Sequence, residues 1–232
     1  MTGGRGLPRP WGETLLLPLV PTATVAMRRR QLEMRLQQVP DHPHPSLELE
    51  QYPTPPVVAG ELLYEALGAG HIEGRSVTDL GSGTGVLALG AALLGASEVV
   101  GVEVDEGAAS VADSVAQQWG LAVDFVVCDV RGWSERCQTV VMNPPFGAQR
   151  RHADRPFVET ALAIAPVVYS LHNGASVPFL RTLAKALRAE LTLERPLPLT
   201  LDHRFPHHRQ QRVAVPVVLL RWQRQQEPED PS

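Results

Sequence analysis

The fold of this chain is decided by one stretch, Ser76-Val77-Thr78-Asp79-Leu80-Gly81-Ser82-Gly83-Thr84-Gly85, in which a short apolar run gives way to a glycine-rich turn. The apolar run predicts a buried strand over Ser76–Leu80, and the residues that follow predict a helix over Val86–Leu94. Glycines at such a junction let the backbone turn tightly and approach a ligand without an intervening Cβ. In an open parallel sheet the junction lies at the carboxyl edge, where ligands bind.

The same alternation of strand and helix continues downstream. It predicts further strands over Glu98–Val104, Ala122–Cys128, Gln138–Met142, Val167–Leu171, Leu191–Glu194 and Val213–Trp222, and further helices over Glu106–Trp119, Phe157–Ile164 and Val177–Ala189. Continuous apolar strands that alternate with helices are typical of βαβ units. We therefore expect an α/β fold, with a mostly parallel sheet covered by helices on both faces.

Two helices are predicted upstream of the sheet. The first covers Arg28–Gln38, and the second starts with Thr54 as its capping residue and Pro55 at the first helical position. We expect a single domain over residues 27–224, made of an N-terminal helical addition (27–70) and a catalytic core (75–224). Residues 1–26 and 225–232 are expected to be disordered tails, and Met27 competes with Met1 as the natural start.

Composition narrows the class of protein. Of 232 residues, 44% are hydrophobic and 20% are charged, which excludes collagen, coiled coil and disorder over most of the chain. The net charge of −4 argues against a uniformly basic nucleic-acid coat. Two cysteines are too few for a disulfide scaffold or a structural zinc site, so we expect reduced thiols and a cytoplasmic protein, or a nuclear one if it is eukaryotic.

The glycine turn favours one kind of nucleotide ligand. Its spacing is G-x-G-x-G without a lysine, so it matches neither a dinucleotide fingerprint nor a phosphate-binding Walker loop. Asp79 before the turn would repel pyrophosphate and attract an amino group, and Glu103 follows Gly81 by 22 residues, near the offset of a carboxylate that holds a ribose. S-adenosylmethionine has an amino group, a ribose and no phosphate. Asp129, after the third strand, is a candidate for the adenine amino group, with the Val130 amide beside it.

The segment Asn143-Pro144-Pro145-Phe146 follows another predicted strand and carries the chemistry. A planar amino group is a poor nucleophile because its lone pair is delocalised into the ring. The Asn143 side-chain oxygen and the Pro144 carbonyl can accept its two N–H bonds, and the prolines hold both acceptors in place beforehand. Phe146 offers a flat face on which a base can stack. An activated methyl sulfonium needs orientation and electrostatics rather than a metal, so no metal site is expected.

Together these motifs resemble class I S-adenosylmethionine-dependent methyltransferases that act on a planar amino group. That resemblance implies a Rossmann-like, mostly parallel seven-stranded sheet. Three further segments are similar to the methyltransferase-like ribosomal RNA adenine-N6 methyltransferases of eukaryotes and archaea: Arg35–Val39, Leu49–Pro55 and Val168–His172. The resemblance runs from about Arg28 to Trp222, and its most specific piece is Glu50-Gln51-Tyr52-Pro53-Thr54.

The resemblance implies a role for each matching position. Gln51 and Thr54 would close over the cofactor from the N-terminal addition. The cofactor's methionine and ribose end would be lined by Gly81, Thr84 and Val86, and Asp79 and Gly85 belong to the same cofactor-binding segment. Glu103 would hold the ribose, Asp129 and Val130 the adenine, and Asn143, Pro144, Pro145 and Phe146 the target base.

Three clusters of cations make an RNA substrate compatible with the negative net charge. They are Arg28–Arg30, Arg150–His152 with Arg155, and His203–Arg212. Such groups neutralise phosphates and supply affinity rather than sequence choice.

The resemblance also implies a partner, a small zinc-binding methyltransferase activator protein. In the family's strand order, the strand over residues 122–128 would lie at the sheet edge. Both of its faces are largely apolar, and such an edge invites pairing with another chain. We expect a heterodimer formed through this edge.

Other readings of the same motifs remain open. Asn-Pro-Pro serves any planar amide or amine, so a glutamine-N5 methyltransferase of release factors or a DNA adenine methyltransferase is possible. A further alternative is a ribosome assembly factor that binds RNA through this fold without catalysis.

Overall fold

The computed structural model describes residues 27–46, 50–146, 152–197 and 216–225. Within these ranges the helices are α1 (Arg29–Leu36), α2 (Pro56–Gly68), α3 (Val86–Leu93), α4 (Glu106–Trp119), α5 (Arg155–Ile164) and α6 (Val177–Ala186). The strands are β1 (Ser76–Leu80), β2 (Glu98–Glu103), β3 (Asp124–Val127), β4 (Thr139–Met142), β5 (Val167–Asn173), β6 (Ala189–Leu197) and β7 (Val217–Arg224).

The strands of the described ranges form one seven-stranded sheet in the order β3-β2-β1-β4-β5-β7-β6. The first five run parallel, and β7 lies antiparallel to both β5 and β6. The predicted α/β fold with a mostly parallel sheet is confirmed. The chain adds β2 and β3 on one side of β1 and then places β4 on the other side. The carboxyl ends of β1 and β4 therefore lie side by side and form the crevice that such sheets use for ligands.

Helices cover both faces of the sheet, which explains why its central strands β1, β4 and β5 are buried along nearly their whole length. All four residues of β4 are buried. One core cluster joins α1, α2 and α3 to one face, and a second joins α5 and α6 to the other. The N-terminal addition packs closely, because a Cβ at Gly90 of α3 would overlap the Leu63 side chain of α2.

The predicted element boundaries hold with a few corrections. Helix α2 begins at Pro56 with Pro55 at its N-cap and without a side-chain cap, so the prediction of Thr54 as the capping residue is wrong. The Thr54 hydroxyl is used elsewhere, as a hydrogen-bond acceptor for Asn143. Strand β3 covers four residues instead of the predicted seven. Helix α6 ends at Ala186 instead of Ala189, which begins the nine-residue strand β6 in place of the predicted Leu191–Glu194. Strand β7 covers Val217–Arg224 and so ends two residues later than predicted, whereas residues 213–215 of the prediction lie outside the described residues.

The first cation cluster is partly neutralised within the addition. Arg29 forms ion pairs with Glu33 and Glu61, both at 2.7 Å, and Glu61 also pairs with Arg195 of β6. Arg29 therefore ties the addition together instead of extending a free basic surface.

Among the described helices, none combines the length and apolar character needed to cross a bilayer.

Candidate active site

A cleft of about 580 Å³ opens at the carboxyl edge of the sheet. It is lined by residues from three regions: the N-terminal addition, the ends of β1 to β4, and the start of α5. They are His42, Glu50, Gln51, Tyr52, Pro53, Gly81, Gly83, Thr84, Val102, Glu103, Val104, Cys128, Asp129, Val130, Arg131, Asn143, Pro145, His152, Ala153, Arg155, Pro156 and Phe157. Most of the predicted site residues thus share one cavity, although they come from separate parts of the chain.

The glycine turn has the backbone that its sequence predicts. Gly81, Gly83 and Gly85 have φ values of +73°, +54° and +88°, a region that L side chains rarely adopt. A side chain at Gly81 would also be too close to α5, since a Cβ there would lie 2.9 Å from Cε1 of Phe157. The turn therefore brings bare backbone to the cleft. Gly85 lies below it as the N-cap of α3, where Val86 begins the helix as a buried residue.

Glu103 braces this turn from the end of β2. Its Oε2 accepts the Gly83 N–H at 2.8 Å, and Oε1 accepts the N–H groups of Val104 and Asp105, each at 2.9 Å. The side chain is buried yet lines the cleft. Each carboxylate oxygen has two lone pairs, so capacity remains for a ligand hydroxyl. The predicted role of Glu103 toward a ribose is compatible with this position.

Asp79 lies beneath the turn and not on the cleft wall. Its Oδ2 accepts the Ala88 N–H of α3 at 3.0 Å. Burial raises the pKa of Asp79 to about 8; the Ala88 hydrogen bond opposes this rise and the charge of Glu103 adds to it. The group is therefore protonated at neutral pH. Its Oδ1 is buried without a hydrogen-bond partner among the described residues, and the predicted contact with an amino group stays a prediction.

Asp129 and Val130 line the cleft where β3 ends, as predicted. The sequence reasoning missed Arg131, whose guanidinium pairs with both carboxylate oxygens of Asp129, at 2.9 and 2.6 Å. That side-chain contact, followed by the Arg131 N–H, lowers the pKa of Asp129 to about 2. Asp129 is thus ionised at any physiological pH and can accept from an amino group. The fact that Arg131 lies two positions after Asp129 in a tight turn is the signal that could have revealed the pair.

Asn143 follows β4 directly and links the two halves of the site. Its Nδ2 donates to the Thr54 hydroxyl at 2.9 Å, 89 residues away in the chain. This contact orients the amide, and its Oδ1 is buried without a hydrogen-bond partner among the described residues. A buried acceptor without a donor costs free energy, so Asn143 is prepared for a donor that a ligand brings.

The rest of the predicted catalytic segment is divided between two cavities. Pro145 and Asn143 line both the cleft and a small adjoining pocket. Pro144 and Phe146 line the small pocket, together with Tyr52 and Leu171. The Phe146 ring also packs against the core cluster below α1–α3. It therefore serves as a partly buried packing residue as well as a candidate base-stacking surface at the pocket.

The start of α5 contributes a wall that the sequence reasoning did not assign to the cofactor site. Phe157 contacts the glycine turn, and His152, Ala153 and Pro156 lie beside it. Of the second cation cluster, His152 and Arg155 line the cleft, whereas Arg150 and Arg151 lie outside the described residues. The third cluster, His203–Arg212, also lies outside them. In the described ranges, no three His, Cys, Asp or Glu side chains are grouped as metal ligands would be.

The cavity suits a nucleoside ligand next to a second planar group. Glu103 and Asp129 supply acceptors for hydroxyl and amino groups, Val102 and Phe157 supply apolar surface, and the glycine turn supplies bare backbone. Asn143 lies on the wall of the same cavity. The residues present therefore fit S-adenosylmethionine together with a planar amine.

Known proteins resemble this chain in sequence and in structure. Residues 58–167 match the family model described as the methyltransferase small domain. An rRNA N(6)-adenosine-methyltransferase of Danio rerio, METTL5, is 34% identical over 204 residues, which cover 84% of this chain and 99% of that protein. The Drosophila melanogaster protein of the same name is 34% identical over 85% of this chain and 97% of its own. A solved structure from Pyrococcus horikoshii, described as a candidate RNA methyltransferase, has a TM-score of 0.80 and 37% identity over 85% of this chain and 98% of its own.

Proposed function

The chain belongs to the family of the rRNA N(6)-adenosine-methyltransferases, and from this premise we propose that it methylates N6 of an adenine in structured RNA, with S-adenosylmethionine as the methyl donor. Small-subunit ribosomal RNA is the substrate that we propose. The observation that carries the proposal is the buried, unpartnered Oδ1 of Asn143 on the wall of the cavity that also contains the glycine turn.

Asn143 acts on the target amino group in this proposal. Its Oδ1 accepts one exocyclic N–H, which draws the nitrogen away from planarity and localises its lone pair. Thr54 holds the amide in the orientation that presents oxygen to the substrate. Because the acceptor is fixed before the substrate arrives, little reorganisation is needed at the moment of reaction.

The cofactor half of the cleft binds and orients. Gln51 and Tyr52 cover it from the addition, the turn at Gly81 and Gly83 approaches it with bare backbone, and Glu103 and Asp129 accept its hydroxyl and amino donors. When bound, S-adenosylmethionine supplies a methyl group that is already activated on a sulfonium. The protein residues therefore need to align two groups and exclude water, and no protein nucleophile is required.

Cations at the mouth of the cleft support an RNA substrate. Arg131 and Arg155 line it with side chains that are 71% and 57% exposed, and His152 lines it as well. Both arginines are held by exposed carboxylates, in ion pairs that solvent screens. A phosphate group can compete for such arginines.

We also propose a protein partner at the β3 edge, a small zinc-binding activator that adds a strand to the sheet. Its support is the position of β3 at one end of the strand order and the side chain of Val127, which is 53% exposed. An exposed apolar edge strand is a template for pairing with another chain.

Two lysine substitutions, one on each edge strand, test this partner. We expect Val127→Lys on β3 to abolish co-purification with the co-expressed activator. Glu190→Lys, on β6 at the opposite edge, should leave co-purification unchanged. If both variants retain the partner equally well, the partner does not bind through β3.

The other substrate classes are less well supported. The relatives that match over most of this chain are named for rRNA. A non-catalytic assembly factor would have no use for the oriented Asn143 amide.

The substrate is tested by giving the purified protein isotope-labelled S-adenosylmethionine and four substrates in parallel: small-subunit rRNA, large-subunit rRNA, release factor and DNA. The small-subunit rRNA should come from cells that lack this gene, so that the target is unmodified. We expect labelled N6-methyladenosine in small-subunit rRNA, identified by mass spectrometry of nucleosides. Label in the release factor or in DNA would replace the proposed substrate, and cofactor binding without any transfer would favour the assembly factor.

A further inference from the structure

Four buried polar side chains form a continuous hydrogen-bonded chain at the carboxyl end of β5. Trp222 Nε1 donates to Ser170 Oγ at 2.7 Å, Ser170 Oγ contacts His172 Nε2 at 2.9 Å, and His172 Nδ1 contacts Asp154 Oδ2 at 3.1 Å. Trp222, Ser170 and His172 are fully buried, and the Asp154 side chain is 4% exposed. The known chemistry of methyl transfer gives these groups no role.

The chemistry of the four groups limits how protons are placed in this network. Indole nitrogen can only donate, so Ser170 accepts from Trp222, and in the tautomer that leaves Nε2 unprotonated the Ser170 hydroxyl donates to His172 Nε2. The imidazole then carries its proton on Nδ1 and donates it to Asp154. A neutral His172 satisfies all four groups, whereas a second proton on Nε2 would leave the Ser170 hydroxyl without an acceptor. Removal of any one member leaves another buried group without its hydrogen-bond partner.

This network is not a hydrolytic triad, although its serine, histidine and carboxylate are arranged like one. Ser170 is fully buried, and neither Ser170 nor His172 lines the cleft. A nucleophile has to reach its substrate, so a role in covalent catalysis is excluded by position.

Asp154 holds the segment that forms the far wall of the cleft. It is the N-cap residue of α5, yet its side chain makes no cap hydrogen bond and turns to His172 instead. An aspartate at this position usually accepts from its own helix. The chain on both sides of it, His152 to Phe157, lines the cleft.

The network also lies next to the catalytic segment. Met142 pairs with Ser170 in the parallel register of β4 and β5, so the residues after Met142 leave the sheet beside the strand end that carries His172. The positions of Asn143 and of residues 152–157 therefore both depend on contacts with the carboxyl end of β5. The cofactor side of α5 has a separate anchor, the Thr160 hydroxyl, which donates to the Val130 carbonyl at 3.1 Å.

From these contacts we infer that Asp154 and His172 are positioning residues for methyl transfer, which set the wall at residues 152–157 and thereby the place where the target adenine meets Asn143. This inference rests on the proposed function. Because Thr160 anchors the cofactor side independently, loss of the Asp154–His172 contact should reduce turnover much more than cofactor affinity. A small misplacement of the substrate is enough to lower the rate strongly.

Strand β5 offers a matched control on its other face. The Tyr169 hydroxyl and His71 Nδ1 form a hydrogen bond of 2.8 Å. Tyr169 is fully buried and belongs to the core cluster below α1–α3. Tyr169→Phe removes one histidine hydrogen bond from the same strand without touching the cleft. It reports what a loss of stability alone does to the enzyme.

The experiment compares Asp154→Ala, Asp154→Asn, His172→Phe and Tyr169→Phe with the wild type, by kcat and KM for RNA methylation, dissociation constant of S-adenosylhomocysteine, and Tm. We expect Asp154→Ala and His172→Phe to lower kcat by about 10-fold or more, while the dissociation constant stays within about threefold of the wild type. Asp154→Asn keeps an oxygen that accepts from Nδ1 and should recover most of kcat. Tyr169→Phe should keep kcat within about twofold of the wild type, even if its Tm falls by as much as the Tm of His172→Phe.

The inference is overturned if Asp154→Ala retains full kcat, or if Tyr169→Phe loses as much kcat as His172→Phe at an equal loss of Tm. A fall in cofactor affinity that matches the fall in kcat would assign the network to the cofactor site instead. These outcomes differ from failure of the proposed function, in which the wild-type protein itself would transfer no methyl group to RNA.

Discussion

The two walls of the cleft differ in how far apart in the sequence their interacting residues lie. On the cofactor wall, Glu103 receives N–H groups from its two following residues and from Gly83, 20 positions away, so a single βαβ unit contains the whole arrangement. On the substrate wall, Asn143 depends on Thr54, 89 positions away, and α5 depends on His172 of the next strand. The comparison shows that the hydrogen bonds of Glu103 are a local property of the central fold. Substrate geometry depends on how the addition and α5 pack against it.

The sharpest way to separate the walls is Asn143→Ala. We expect kcat for RNA methylation to fall by about 10²–10³-fold, as for loss of one preorganised electrostatic contact, while the dissociation constant of the cofactor changes by less than about threefold. Asn173→Ala is the control, since this asparagine ends the neighbouring strand and its Oδ1 caps a turn at Ala175. Full activity in Asn143→Ala would remove the catalytic assignment.

The pH dependence of stability tests the buried Asp79 beneath the glycine turn of the cofactor wall. Its pKa of about 8 in the fold lies above the ordinary 3.8, so the folded protein holds a proton that the unfolded chain releases. The stabilisation from this group is complete below the unfolded pKa and is lost as the pH rises toward 8, by at most about 1.4 kcal/mol per pH unit.

Asp79→Asn imitates the protonated carboxyl and can still accept from Ala88. We expect the variant to show a flatter dependence of the free energy of unfolding on pH between 5 and 8 than the wild type, measured by denaturant titration. Parallel curves for the two proteins would show that Asp79 is ionised in the fold.

Thr54→Val tests the long-range contact on the substrate wall. The change keeps the shape of the side chain and removes the oxygen that orients the Asn143 amide. We expect kcat to fall by about 5- to 10-fold, the equivalent of one hydrogen bond of about 1 kcal/mol. Thr182→Val removes a hydroxyl that bonds within α6 and should leave kcat unchanged. A Thr54 variant that loses cofactor affinity instead would place this residue on the other wall.

The smallest expected effect concerns the cations at the mouth. Arg131→Gln should lower the salt dependence of RNA binding by about one phosphate contact, a change of about 0.7–0.9 in the slope of log K against log salt. Arg181→Gln is matched in chemistry, because Arg181 is 60% exposed and pairs with Glu194 at 2.8 Å away from the cleft. Equal slopes for both variants would exclude Arg131 from the RNA interface.

The parts of the site that could be predicted are those whose cause is local. The glycine turn, its positive φ values and the strand ends that carry Glu103, Asp129 and Asn143 follow from residue type and from alternation of strand and helix. The predictions that failed were judgements about which partner a polar side chain takes. Thr54 was expected to cap its own helix and instead accepts from Asn143.

Arg131 and the Asp154–His172 pair illustrate the same division. The spacing of Arg131, two positions after Asp129, indicates the ion pair only once the turn between them is known. Nothing in the order of residues 152–157 marks them as a wall of the cleft. Burial of Asp79 likewise became visible once α3 was packed above the turn. In each case the free energy depends on competing partners and on desolvation, and both are set by elements from elsewhere in the chain.

Periodicity and backbone preference in the sequence alone therefore determined a mostly parallel α/β sheet, with the glycine turn and the Asn143–Phe146 segment at the same edge. These properties depend on neighbours within a few residues, and they hold wherever the segments are placed. The pairing of Asn143 with Thr54, the protonated Asp79 and the buried network behind α5 were decided by tertiary structure. They arise when distant groups lose water together and have to satisfy one another's hydrogen bonds.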